Sequence, residues 1–154
     1  MSEIREGLAS AKAMENRFLL PHWLALLADI SRKAGRTDEG LAAAEEGLRE
    51  VRTNGQSFSE SELHRLKGEL VLLRLALCER DEAEACFREA IDVARRQSAR
   101  SFELRAALSL ARLWQSQRRT DEAGRMLEEV YGWFTEGLDT PDLVEARALL
   151  GELS

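Results

Sequence analysis

Residues that favour strands and turns are scarce in this 154-residue chain, with 5 Val, 3 Ile, 5 Thr and 2 Pro. That scarcity argues against a sandwich, a barrel or an α/β sheet, all of which draw on β-branched strands and frequent turns. Cysteine is equally rare: Cys78 and Cys86 offer no disulfide framework and read as buried free thiols of a reducing compartment. No apolar run approaches the roughly 20 residues that span a bilayer. Met1-Ser2-Glu3 opens no signal peptide, so no membrane contact is expected and the cytoplasm is the expected setting. Basic charge is in deficit, 22 Lys and Arg against 28 Asp and Glu, for a net charge of −6. A dedicated nucleic-acid binder neutralises phosphates with a surplus of cations, so this balance disfavours nucleic acid and suits protein partners. A helix-turn-helix reading fits short turns but finds no basic recognition helix.

Catalytic signatures are missing as well. The ten glycines never form GxGxxG or GxxxxGK[ST], and no nucleophile stands with a base in a known pattern. His22 and His64 are the two histidines; Glu60 lies one helical turn before His64, but neither histidine has a third ligand in view. The carboxylate pairs Glu45-Glu46 and Glu128-Glu129 read as solvated faces. The expectation is a chain with no catalytic residues, no cofactor and no metal.

What remains is dense in helix formers. Leu, Ala, Glu and Arg number 25, 21, 21 and 19, together 86 of the 154 residues. These side chains lose little rotamer freedom on a helix. With 44% hydrophobic and 32% charged residues, the chain can bury a core, and its length suits one domain. Three segments repeat: Thr37-Asp38-Glu39-Gly40, Asp81-Glu82-Ala83 and Thr120-Asp121-Glu122-Ala123. Some 43 residues separate Asp38 from Asp81, and 40 separate Asp81 from Asp121. Each acidic pair opens a helix, where negative charge favours the exposed N–H groups. An amphipathic stretch lies about 20 residues upstream of each, the mark of an α-hairpin repeat.

Apolar spacing sets the helices. Leu63, Leu66, Leu70, Leu73 and Leu77 step by three and four along one face. Second helices carry a small–large–small stripe, Ala83/Phe87/Ala90 and Ala123/Leu127/Val130, with a weaker copy in Gly40, Ala44 and Gly47. Ser59-Glu60-Ser61-Glu62 reads as a capping box, and Thr140-Pro141 as a cap before a first-turn proline. Ala34-Gly35 and Asn54-Gly55 mark helix ends. The pattern predicts eight helices, over 3–15, 18–34, 38–53, 60–78, 81–97, 101–117, 120–136 and 141–152. They group into helix pairs at 18–53, 60–97 and 101–136, a partial N-terminal helix and a C-terminal capping helix, in one domain spanning 1–154.

The small–large–small stripe on a second helix resembles the tetratricopeptide repeat (TPR). The spacing exceeds that family's unit of about 34 residues, and the early aromatic of each first helix and the terminal proline are missing. A more specific resemblance runs through Leu20-Pro21-His22-Trp23-Leu24-Ala25-Leu26-Leu27-Ala28, Glu62-Leu63-His64-Arg65-Leu66-Lys67-Gly68-Glu69-Leu70, Ala83-Glu84-Ala85-Cys86-Phe87-Arg88-Glu89-Ala90 and Ser101-Phe102-Glu103-Leu104-Arg105-Ala106-Ala107. It ends on Val130-Tyr131-Gly132-Trp133-Phe134-Thr135-Glu136-Gly137-Leu138-Asp139-Thr140-Pro141-Asp142-Leu143. Together these are similar to the C-terminal repeat region of large bacterial signalling proteins. In that family a class III adenylate/guanylate cyclase or a DNA-binding domain precedes a predicted ATPase module and then the repeats. The resemblance implies an all-α, right-handed helical-hairpin solenoid serving protein binding and signal transduction. The cyclase and ATPase parts would lie outside this chain.

In such solenoids the first helices line the concave face. Aligned on the acidic pairs, His22, Arg65 and Arg105 share one column, Asp29, Leu72 and Arg112 a second, and Arg32, Leu75 and Gln115 a third. One reading is a locally basic groove that grips an acidic peptide, or the parent's own ATPase module, by bidentate pairing. The other is a solvated face whose arginines pair with neighbouring glutamates. Tyr131, Trp133 and Phe134 likewise have two readings, a plug at the end of the core or an exposed anchor for a neighbour. A structural spacer or homodimerising unit without a groove ligand is the alternative to the interaction module.

Overall fold

The computed structural model describes residues 19–55, 57–74 and 80–154. Among them run seven α-helices and no strand: α1 Leu20–Lys33, α2 Thr37–Asn54, α3 Glu60–Arg74, α4 Arg80–Arg96, α5 Arg100–Ser116, α6 Thr120–Tyr131 and α7 Pro141–Leu153. The helix expected over 3–15 and the end of the one expected over 60–78, with Leu75, Leu77 and Cys78, lie outside the described residues. No helix among the described residues is long and apolar enough to cross a membrane.

Consecutive helices pack against one another, and α1 touches α3, α3 touches α5 and α5 touches α7. The odd-numbered helices therefore lie side by side on one face, the inner face, with the even-numbered helices packed against them. The small–large–small stripe explains how the pairs close. Ala83, Phe87, Ala90, Ala123 and Leu127 are wholly buried in a single core cluster. Phe87 fits because Gly68 of α3 has no side chain; a Cβ there would stand 2.6 Å from Phe87 Cε1. Leu63 seats the same way on Gly47, where a Cβ would lie 2.6 Å from Leu63 Cδ2. Burying one such large side chain stabilises the fold by about 2–3 kcal/mol.

Three turns repeat one geometry. After α1, Gly35 sits at φ 70° and Arg36 N–H donates to Ser31 O at 2.8 Å. After α4, Ser98 takes φ 54° and Ala99 N–H reaches Ala94 O at 2.9 Å; after α5, Arg118 takes φ 63° and Arg119 N–H reaches Trp114 O at 2.9 Å. Each closes a helix by the six-to-one bond of a left-handed C-terminal cap. Glycine adopts that backbone freely, whereas a side chain there costs on the order of 1 kcal/mol.

Several local expectations needed correction. α6 ends at Tyr131 and not at 136: Gly132, with its low helix propensity, takes the C-terminal position. Residues 132–140 then form turns, with Phe134 N–H bonded only three residues back to Tyr131 O. In the Ser59–Glu62 box, Leu63 N–H donates to Ser59 O at 2.9 Å, but both Glu62 oxygens are taken by Arg65 at 2.9 and 2.6 Å. Pro141 does open α7, yet Thr140 makes no side-chain capping bond; its extended backbone alone starts the helix.

Candidate functional site

The inner face carries two adjoining clefts that share Arg32, Glu69, Ser109 and Arg112. The smaller, of about 290 Å³, is charged. Its cations are Arg32, Lys33, Arg65, Arg105 and Arg112, and its carboxylates are Asp29, Glu62, Glu69, Asp142 and Glu145. Among the described residues five face five, so this groove is electrically balanced.

Each arginine in it is held. Arg65, with a side chain 12% exposed, donates to Glu62 and, at 2.5 Å, to Glu69. Burial would lower its pKa; the hydrogen bonds it donates to Glu62 and the charges of Glu62 and Glu69 outweigh that and raise it above the ordinary arginine value. Arg32 bridges Asp29 at 2.9 Å and Glu69 at 3.1 Å. Ser109 Oγ donates to the same Glu69 at 2.9 Å. Arg105 donates to Asp142 at 2.8 Å and lies 3.8 Å from Glu62. Arg112 pairs with Glu145. Burial pushes the Asp29 carboxyl up, but hydrogen bonds from Lys33 and Arg32 outweigh it and leave the group below its ordinary range. The result is a ladder of alternating charge from α1 across α3 and α5 to α7.

The larger cleft, of about 620 Å³, is mainly apolar. Leu72, Leu73, Phe87 and Leu113 line it, with Arg80 at the start of α4 on its edge.

The columns read from sequence are thus partly assembled. Asp29, Arg32, Arg65, Arg105 and Arg112 meet in the charged cleft, and Leu72 lines the apolar one. His22 does not join them. It packs beside Trp23 and Phe58, with ring centroids 6.3 and 5.5 Å away. Gln115 turns to α7, donating to Glu152 at 3.2 Å. In this cleft the arginines face carboxylates, because α7 supplies Asp142 and Glu145, and Glu62 and Glu69 flank Arg65 by one helical turn on either side. Leu73 and Phe87 enter the sequence reading only as apolar stripe residues, and Arg80 and Leu113 are not among its site candidates; the register signal for Arg80 is that it stands where the other second helices begin with Thr37 and Thr120.

The three C-terminal aromatics divide. Tyr131 and Phe134 are half-buried against the core, as a plug requires. Trp133 is 61% exposed and stacks under the Arg100 guanidinium, 4.1 Å from ring centroid to carbon. Elsewhere, burial holds the His64 imidazole below its ordinary pKa and pushes the Cys86 thiol up. Cys86 is a free, buried cysteine.

No protein-family model and no curated protein matches the chain.

Proposed function

We propose that the chain is a non-catalytic protein-interaction and regulatory module, a divergent TPR-like solenoid that binds a partner segment across its inner face. The observation that supports this most is the apolar cleft set beside a rigid, self-paired ion ladder on the odd-numbered helices. A rigid wall beside an open apolar floor is the arrangement by which a scaffold holds an extended or helical segment of another protein. On the resemblance described above, the module belongs to a cytoplasmic bacterial signalling protein, with the ATPase module of the same protein as one candidate occupant.

The binding reading is tested by panning a library of displayed random 12-residue peptides on the full chain, then mapping a selected peptide by hydrogen exchange. Protection is expected on α1, α3 and α5. Protection confined to α2, α4 and α6, or no selectable peptide, overturns it. The signalling assignment is tested by the surrounding gene, whose reading frame is expected to continue upstream into an ATPase module and an effector domain; a frame lacking both removes it.

A homodimerising role has one observation of its own. Leu19, just before α1, and Leu26 within it are exposed two helical turns apart, and the exposed Phe58 packs on His22 between them in sequence. Sedimentation velocity distinguishes the two readings: a tight dimer abolished by Leu26→Glu favours self-association, and a monomer at micromolar concentration removes it.

A further inference from the structure

The ion ladder makes one guanidinium conspicuous. Arg80 is half-buried on the edge of the apolar cleft, yet among the described residues it makes no hydrogen bond and no ion pair. Its position adds to the imbalance. Arg80 is the first residue of the 17-residue α4, where the helix dipole already presents positive charge, and where α2 and α6 begin with threonine. Among the described residues, the cleft it borders is lined by the cations Arg32, Arg80 and Arg112 and by the carboxylate of Glu69. That carboxylate is already taken by Arg32, Arg65 and Ser109. Leu73 adds an apolar surface that is 49% exposed in the same cleft. An uncompensated cation beside an open apolar floor is complementary to one chemistry: an apolar group with an anion next to it.

We propose that this cleft takes a protein segment that lays one or two large apolar side chains over Leu72 and Leu73 and sets a carboxylate on Arg80. The inference rests on the binding reading above and adds the chemistry of the occupant. A cleft of about 620 Å³ lies in the range that holds a ligand of drug size or a pair of large side chains. Arg80 fixes the orientation, because its planar fork pairs with a carboxylate through two hydrogen bonds. Glu69 and the arginines bound to it are satisfied among themselves and serve as the wall. Among the described residues of this cleft a basic segment has no free carboxylate to meet.

The test uses fluorescein-labelled 12-residue peptides selected on the full chain, with affinity read by fluorescence polarisation. Selected peptides are expected to combine Leu, Ile, Phe or Trp with Asp or Glu nearby. Arg80→Glu is expected to weaken such a peptide at least tenfold, and Leu73→Asp to do the same. Arg80→Glu is a clean probe, since an anion at a helix N-terminus favours the helix, so its Tm is expected to equal or exceed that of the parent chain. A peptide in which every Asp and Glu is replaced by Asn and Gln is expected to lose the dependence on Arg80 while keeping that on Leu73. Selection of basic peptides, or an affinity unchanged by Arg80→Glu, overturns the inference. If peptides still protect α1, α3 and α5 while ignoring Arg80, the binding reading survives and this deepening of it fails; if no peptide binds, both fail.

Discussion

The two inner clefts share a wall of Arg32, Glu69, Ser109 and Arg112, yet they differ in what they leave unsatisfied. In the charged cleft each arginine has a carboxylate, and each link between helices doubles as a brace: Arg32 to Glu69 ties α1 to α3, and Arg105 to Asp142 ties α5 to α7. In the apolar cleft, Leu73 is half-exposed and Arg80 has no partner among the described residues. Arginine-rich columns on a helical face thus do not by themselves mark a binding surface. An ion pair that is already closed must be broken and its carboxylate displaced before a ligand can use it, whereas an open cation beside apolar surface carries no such cost.

That contrast predicts a graded set of losses. The steepest belongs to Arg65, the most enclosed cation of the ladder. Arg65→Ala is expected to destabilise the chain by about 3 kcal/mol in urea denaturation, the low end for a broken buried pair, because Glu69 keeps Arg32 and Ser109. A loss under about 1 kcal/mol would mean that the charged cleft is no more structural than the apolar one. Next comes Gly68→Ala, which strikes the apolar cleft from beneath by driving a methyl into Phe87. Overpacking costs about 1–3 kcal/mol and the gain in helix propensity returns up to about 1, so a net loss of about 1–2 kcal/mol is expected. Peptide binding at the apolar cleft should weaken with it, while the ladder keeps its geometry.

Acid provides a smaller and selective perturbation. The Asp29 carboxyl titrates below its ordinary value of 3.8 in the folded chain. Its contribution is complete above that value and is lost as pH falls through the lower folded one. Melting curves from pH 7 to 2 should therefore steepen in their decline below about pH 4, and Asp29→Asn should remove part of that slope. An identical slope in the variant would detach Asp29 from the ladder. The smallest effect is expected at the rim. Arg112, with a side chain 57% exposed, pairs with Glu145 in solvent, so Arg112→Ala should change stability by less than about 0.5 kcal/mol. A larger loss would move the structural boundary outward to α7.

Much of the helical arrangement was readable from spacing alone. Leu63, Leu66 and Leu70 are all buried, and the paired acidic residues stand at the starts of α2, α4 and α6. α6 was drawn five residues too long because the apolar residues Trp133 and Phe134 continue the pattern past Gly132, and apolar character does not distinguish a helix from a turn packed on the core. The site was half legible. Column alignment placed Arg65, Arg105 and Arg112 on one face, since helical register is a local property. The sign of the groove was not, because Asp142 and Glu145 arrive from a helix some forty residues along the chain and packing alone brings them there. His22 left the face for a similar reason: Phe58, from the connection after α2, settles against it. Arg80 is visible in register with Thr37 and Thr120, but its lack of a partner among the described residues depends on the surrounding helices, which no single segment records.

The packing order of the helices bears on how the chain acquires its structure. Every extensive contact among the described residues joins helices one or two places apart. Little loop-closure entropy stands between the unfolded chain and its first stable pair, so folding should be fast for 154 residues and able to start at more than one hairpin. The same locality confines damage. An insult to α6 should loosen the C-terminal helices, while slow hydrogen exchange persists in α3 and α4, where neighbours lie on both sides. A binding face spread over such a chain can be lost at one end and kept at the other.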